Sequence, residues 1–345
     1  MKKAFTCLLL MTLADCLVFK YFLKAQDIHF SQFYSVPLTH NPAVAGTIKG
    51  YRFNSCFKDQ WKSIGIPYRT VFASFDMNML RSKSRKNALG AGISFFSDKA
   101  GASKMGLSMA NLTLAYHVQL TPFNTLGGGI QGSFGQRSIN YVDLKWDNQF
   151  EGDAFDPNTN SNENIPFPNF EFADISGGLS WNHNRNELFK ANAGLAAFHL
   201  NNPSQSYYEK YGEKLFTKIV FHGGTEFVFK NTNTALLPAF LLVKQGPFYE
   251  INTGALVKFI LGVDSKYTGL RSSSAFYLGS FYRFRDAISL VSKFDFKSNW
   301  SMGISYDINV SALRVASSGR EGMEISLSYK GLFDRNTNIK STDIF

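Results

Sequence analysis

Cysteine is almost missing from this chain: only Cys7, Cys16 and Cys56 occur, and the first two fall in an N-terminal stretch of leader character. Behind that stretch Cys56 stands alone, which excludes an internal disulfide as the source of stability. Charge is scarce too, at 18% of residues. A spanning helix needs about 20 consecutive apolar residues, and no such run follows the N-terminus, which excludes a helical membrane protein. The six histidines (His29, His40, His117, His183, His199, His222) never repeat at a metal-ligand spacing, and no G-x-S-x-G elbow is present. The sequence therefore offers no anchor for catalysis and none for a cofactor.

What the chain does have is aromatic weight, 34 Phe, 15 Tyr and 4 Trp in 345 residues, set in short alternating segments. The clearest runs from Trp300 to Val310. Trp300, Met302, Ile304, Tyr306, Ile308 and Val310 are apolar, and Ser301, Gly303, Ser305, Asp307 and Asn309 between them are small or polar. Successive strand side chains point to opposite faces, so one face of this segment suits an apolar medium and the other suits water. Leu112, Leu114, Tyr116 and Val118 alternate in the same way, as do Ile175, Leu179 and Trp181, and Tyr249, Ile251, Val257 and Phe259. Segments near 52–58, 67–77, 88–97, 106–118, 124–136, 172–182, 191–199, 216–229, 234–244, 248–258, 274–284, 287–296, 299–309 and 322–331 read as strands, about 14 in all. Repeated alternation at about ten residues per segment is the pattern of a transmembrane antiparallel up-and-down β-barrel. A soluble β-sandwich also alternates, but it uses fewer strands and fewer aromatic residues at strand ends.

The remaining organisation fits an exported envelope protein. Met1-Lys-Lys followed by an apolar run from Ala4 to Phe19 predicts an export signal over 1–25, cleaved after Ala25. Asp15 precedes Cys16 where lipid attachment requires a small residue, so a lipoprotein is not expected. A lead over 26–50, rich in aromatics and carrying Pro37 and Pro42, precedes a barrel over 51–332, and a polar tail covers 333–345. One interruption, 141–171, is long enough to be a functional rim loop. The net charge of +10 gathers most visibly at Arg81-Ser-Lys-Ser-Arg-Lys86, in a turn. No nucleic-acid module surrounds that run, so nucleic acid is not an expected partner. The faces opposite the apolar ones look rich in Gly, Ser, Ala and Asn and short of charge, which speaks against an open ion-selective porin.

Two motifs have a bland explanation. Gly127-Gly-Gly-Ile-Gln-Gly132 satisfies G-x-G-x-x-G but lies inside an alternating segment with no helix after it. Glycines at a bend in a barrel wall account for it better than a dinucleotide site. Asp156-x-Asn158-x-Asn160 opens like a calcium loop, yet Ser161 and Phe167 stand where a Gly and a bidentate Glu belong, so only a looser calcium site is conceivable there.

Phe30-Ser-Gln-Phe-Tyr-Ser-Val-Pro-Leu-Thr-His-Asn-Pro-Ala-Val-Ala-Gly46 resembles the mature N-terminus of the PorP/SprF family of type IX secretion system outer-membrane proteins. The likeness continues through Phe57-Lys-Asp-Gln-Trp61, Ala73-Ser-Phe-Asp76, Asp174-Ile-Ser-Gly-Gly-Leu-Ser-Trp181, His199-Leu-Asn-Asn-Pro203 and Glu324-Ile-Ser-Leu-Ser-Tyr329. Lys58, Asp59 and Asn202 depart from the family pattern. The resemblance implies a non-enzymatic barrel in the outer membrane of a Gram-negative bacterium, contacting outer-membrane lipid and serving type IX secretion and gliding motility. It implies as partners either the C-terminal domain of a secreted adhesin or the periplasmic ring and lipoprotein components, and no cofactor. A general diffusion porin or small-molecule channel of the outer membrane is the alternative. Partner contact is expected from the lead residues Phe30, Gln32, Phe33, Tyr34, Asn41 and Pro42 with Trp61, and from Trp146, Phe150 and Asp156 in the rim loop. The same lead residues would serve equally as a plug against the barrel mouth. Asn41-Pro42 is expected to cap and open a single helical turn.

Overall fold

Alternation decides the architecture, because every strand must show one face to lipid and the other to a lumen. The computed structural model describes residues 27–81, 87–140, 144–151, 154–156, 158–163, 165–186, 188–208, 213–262, 273–297 and 299–332. The expected signal at 1–25, the basic run at 82–86 and the tail at 333–345 lie outside the described residues.

Fourteen strands form the wall: β1 (Gly50–Gln60), β2 (Tyr68–Arg81), β3 (Ala88–Ala100), β4 (Met105–Gln119), β5 (Asn124–Ser138), β6 (Asn169–Asn184) and β7 (Phe189–Phe198) make the first half. The second half is β8 (Lys218–Val228), β9 (Thr234–Gln245), β10 (Phe248–Leu261), β11 (Ser274–Arg283), β12 (Ala287–Phe296), β13 (Trp300–Asn309) and β14 (Arg320–Leu332). Each pairs antiparallel with its neighbour in the chain, and β14 returns to β1 in register from Gly50↔Leu332 to Gln60↔Gly322. Closure leaves no unpaired edge, as a bilayer demands. The expected strand count and class are both met.

The alternation of β13 is realised residue by residue. Trp300, Met302, Ile304, Tyr306 and Ile308 are exposed to the outside, and Ser301, Gly303, Ser305, Asp307 and Asn309 are buried. Exposed aromatics gather at both ends of the wall, with Tyr116, Trp181, Phe227 and Trp300 at one and Tyr249, Tyr282 and Phe284 at the other. These are the interfacial girdles of a membrane barrel. Gly50, Leu332 and short hairpins such as 120–123 and 229–233 share one end, here the turn end. The two longest connections, 139–168 and 199–217, leave from the opposite end, here the loop end.

The lumen departs from expectation in being far from short of charge. Arg52, Lys58, Asp76, Asp174, Glu226, Glu250, Arg283, Lys293, Asp307, Glu321 and Glu324 are all buried within it. No strand contributes more than two of these, so no single stretch of sequence looks charged. The lumen is also divided. Along β9 both faces are apolar because the inner one (Ala235, Leu237, Ala239, Leu241) joins Phe198, Val220, Leu256 and Phe281 in an apolar core.

A lumenal plug as candidate functional site

The lead occupies the lumen. Residues 27–49 run from the loop end, where Asp27 meets the ends of β7, β8 and β9, to the turn end, where Gly50 opens β1. Prolines and short polar residues break this segment into three single 3₁₀ turns, Phe33–Ser35, Pro37–Thr39 and Pro42–Val44. The last is capped as expected: Asn41 Oδ1 accepts from the Ala43 N–H at 2.8 Å, with Pro42 at the first position.

Four sockets hold it. At the loop end the Asp27 carboxylate accepts from Lys218 Nζ at 2.6 Å and pairs with His199 Nε2 at 2.8 Å, while His199 Nδ1 reaches Asp174 at 2.9 Å. Burial alone would raise the Asp27 pKa, but Lys218 and His199 outweigh it and hold the carboxyl well below its usual value. Burial alone would lower His199, but Asp27 and Asp174 prevail and raise it.

Next, Glu324 accepts the backbone N–H groups of Ser31 (2.6 Å) and Gln32 (2.9 Å) and pairs with Lys58 at 3.1 Å. Gln32 donates to Ser305 Oγ at 3.2 Å and accepts from Ser326 Oγ at 2.8 Å. Beside this polar socket Phe33 enters the apolar core, edge-on to Phe281 with centroids 5.6 Å apart, and Phe30 meets Phe72 at 6.0 Å. Further down, Asn41 Nδ2 donates to Leu179 O at 2.8 Å and lies 3.1 Å from His222 Nε2. At the turn end His117 Nε2 donates to Ala45 O at 2.7 Å, and Asp76 accepts the Gly46 N–H at 2.9 Å while bound twice by Arg52.

Gly129 changes meaning in this light. Instead of marking a bend it gives the plug room, since a Cβ there would lie 2.6 Å from Ala43 N and 2.7 Å from Ala43 Cα. A Gly129→Val variant is expected to push the plug from the wall and lower stability by about 1–3 kcal/mol, the usual penalty for overpacking. Gly132→Val, whose Cβ meets nothing within 4 Å, is its control. Urea unfolding of both, with trypsin sensitivity of the lead as second readout, checks the contrast.

The sites expected for partner contact separate into two groups. Phe30, Gln32, Phe33, Asn41 and Pro42 are buried against the wall, and Tyr34 lies half-buried beside Phe281. None presents a surface, and the plug alternative describes them. Trp61, Trp146, Phe150 and Asp156 stand at the loop end. Trp61 is half-buried on Tyr68 with centroids 4.8 Å apart, and its backbone N–H donates to Glu321 O. In the long connection the pairs Phe150–Glu151 and Ala154–Phe155 form a miniature ladder, with Phe150 exposed and 5.5 Å from Phe155. Asp156 Oδ1 accepts from Asn158 N (2.8 Å) and Asn158 Nδ2 (3.1 Å), so it shapes a turn of the loop. The two long connections meet where Phe167 N–H donates to Tyr207 O at 3.0 Å and Tyr207 packs on Phe170 at 5.2 Å.

The socket residues Glu324, Lys58, Asp76, Asp174 and His199 were not singled out as functional from sequence. The signal was present nonetheless. Every one falls inside a block that carried the family resemblance, and Lys58 was noted only as a departure from it.

Among solved structures the chain is similar to the Pseudomonas putida toluene transporter TodX (9% identity, 85% of this chain and 93% of that one, TM-score 0.46). It is also similar to a Pseudomonas aeruginosa FadL homologue (10%, 84% and 91%, TM-score 0.42) and to the KdgM porin (6%, 81% and 99%, TM-score 0.36). These likenesses extend to the barrel architecture alone. No curated protein matches the chain. The profile described as type IX secretion system membrane protein PorP/SprF matches residues 22–329, nearly the whole chain, and the protein accordingly belongs to the PorP/SprF family of type IX secretion outer-membrane barrels.

Proposed function

We propose that this protein is a non-enzymatic docking barrel in the outer membrane of a Gram-negative bacterium, delivered there by its N-terminal signal. In this reading it assists export or surface anchoring of a secreted adhesin-type protein in the gliding and secretion apparatus, by protein contact and not by conduction. One observation carries the reading: the lead fills the lumen and is bonded to the wall along its length, which leaves the rims as working surfaces. The loop end offers exposed Phe150, Phe167 and Tyr208 on two connections joined by the Phe167–Tyr207 hydrogen bond, aromatic anchors suited to a folded C-terminal domain. The turn end, with both strand termini, is the side open to periplasmic ring and lipoprotein components.

The test is capture of the adhesin C-terminal domain by the purified full chain in detergent, with Phe150→Asp and Phe167→Asp as variants. Binding by the unaltered chain and a loss of about 2 kcal/mol per aromatic anchor, some thirtyfold in Kd, are expected. Equal affinity in all three proteins, or normal adhesin display in a deletion strain, contradicts the reading. The diffusion-porin alternative gains no support from a bonded plug.

A further inference from the structure

The outer part of the plug crosses a site that its hydrogen bonds leave unfinished. His29 lies on the lead, Asp286 on the loop-end turn between β11 and β12, and Glu321 near the start of β14. One ligand atom from each lies within 4.8 Å of the others. Glu321 is 3% exposed, yet its Oε2 has no hydrogen-bond partner, and neither has the buried Nε2 of His29. Two buried groups without partners in one cluster call for an explanation, and an occupant supplies one.

The charge around them points to a cation. Arg283 faces four carboxylates, Asp307, Glu321, Asp286 and Glu250. Its guanidinium donates to Glu321 Oε1 at 2.5 Å, to Asp286 Oδ2 and to Ser31 Oγ at 3.1 Å. Those bonds use one oxygen of Glu321 and one of Asp286, and the second Glu321 oxygen is left without a partner. The arrangement is that of a hydrogen-bonded outer shell which orients carboxylate ligands. Lys58 is the next cation, and it is already engaged with Glu324.

We propose that His29, Asp286 and Glu321 bind a divalent transition-metal cation, best matched to zinc, which pins the outer end of the plug to the barrel wall. One imidazole nitrogen and two carboxylate oxygens suit zinc with water completing a tetrahedron, whereas calcium asks for six to eight oxygens. Zinc bonds of about 2.0–2.2 Å set ligand atoms about 3.3 Å apart, so ligand atoms that lie within 4.8 Å of one another need to close by at most about 1.5 Å. Asp286, on a turn and 39% exposed, has the freedom to move.

The experiment uses the full chain in detergent, stripped with a chelator, dialysed and titrated with zinc chloride. Bound metal is counted by elemental analysis, and the lead is probed by limited trypsin digestion. One zinc per chain is expected, with the lead better protected when zinc is present. His29→Gln and Asp286→Asn are each expected to weaken zinc binding at least tenfold. Glu321→Gln risks misfolding because Arg283 depends on it, and Asp286→Asn, on an exposed turn, keeps the test decisive. Absence of stoichiometric zinc in the unaltered chain, or equal retention by Asp286→Asn, overturns the proposal.

Discussion

Planar bilayers loaded with the intact protein are expected to show no steady conductance steps, whereas a chain lacking 27–45 is expected to conduct in discrete steps. Width and filling of the lumen decide the outcome. An eight-stranded barrel is just wide enough for its own side chains, and barrels of 16–18 strands leave an aqueous channel. Fourteen strands fall nearer the second case, so an empty lumen of this size would pass water and ions. Here the lead occupies both halves of it, Phe33 in the apolar core along β9 and Ser31–Gln32 in the polar socket at Glu324. Closure needs no gate, because the plug is tied near each end, by Asp27 to His199 and Lys218 and by Gly46 to Asp76. Steady conductance by the intact protein would remove the plug from the functional account and restore the porin alternative. Silence of an inserted truncated chain would mean that wall side chains close the lumen unaided.

The wall was legible in the sequence because alternation is a local property. Trp300 to Asn309 declares its two faces without reference to any other strand, and the same holds for Leu112 to Tyr116. The lumen was not legible in that way. Arg283, Asp307 and Glu321 belong to three strands, and only closure of the barrel sets them around Ser31. Gly129 shows the same difficulty at the scale of one residue. Its neighbours along the chain suggest a bend, and the reason for it is Ala43, more than eighty positions away in sequence. The lead was half-legible: the Asn41 cap followed from two residues, while the choice between plug and contact surface depended on sockets that no local pattern reveals. Blocks of family resemblance did mark them. Asp174, His199 and Glu324 are each the first residue of such a block, and each bonds the plug or a residue that does.

Glu324→Ala is expected to be the most damaging single substitution in the lumen, lowering the unfolding free energy by about 3–5 kcal/mol. Lys58 and Glu324 face each other across the seam where β14 closes on β1, both 1% exposed. Removing the carboxylate strands a buried ammonium whose other hydrogen bond is to His29 O at 2.9 Å, and it orphans the N–H groups of Ser31 and Gln32. A buried pair contributes little relative to an apolar substitute, because desolvation offsets its attraction, so the damage comes from the charge left alone. Lys58→Met with Glu324→Gln is therefore expected to recover much of the loss, since neither charge remains and the Gln oxygen still accepts from one plug N–H. Lys58→Met alone is expected to cost less than Glu324→Ala, because Glu324 keeps both of those donors. Urea unfolding in lipid vesicles of the unaltered protein, Lys58→Met, Glu324→Gln and the double variant measures the cycle, and a coupling below about 0.5 kcal/mol would mean that seam and plug are held independently of this pair. Coupling well above that value would make the residue pair that closes the wall also the one that seats the plug, so that a barrel closed in this register already carries its stopper.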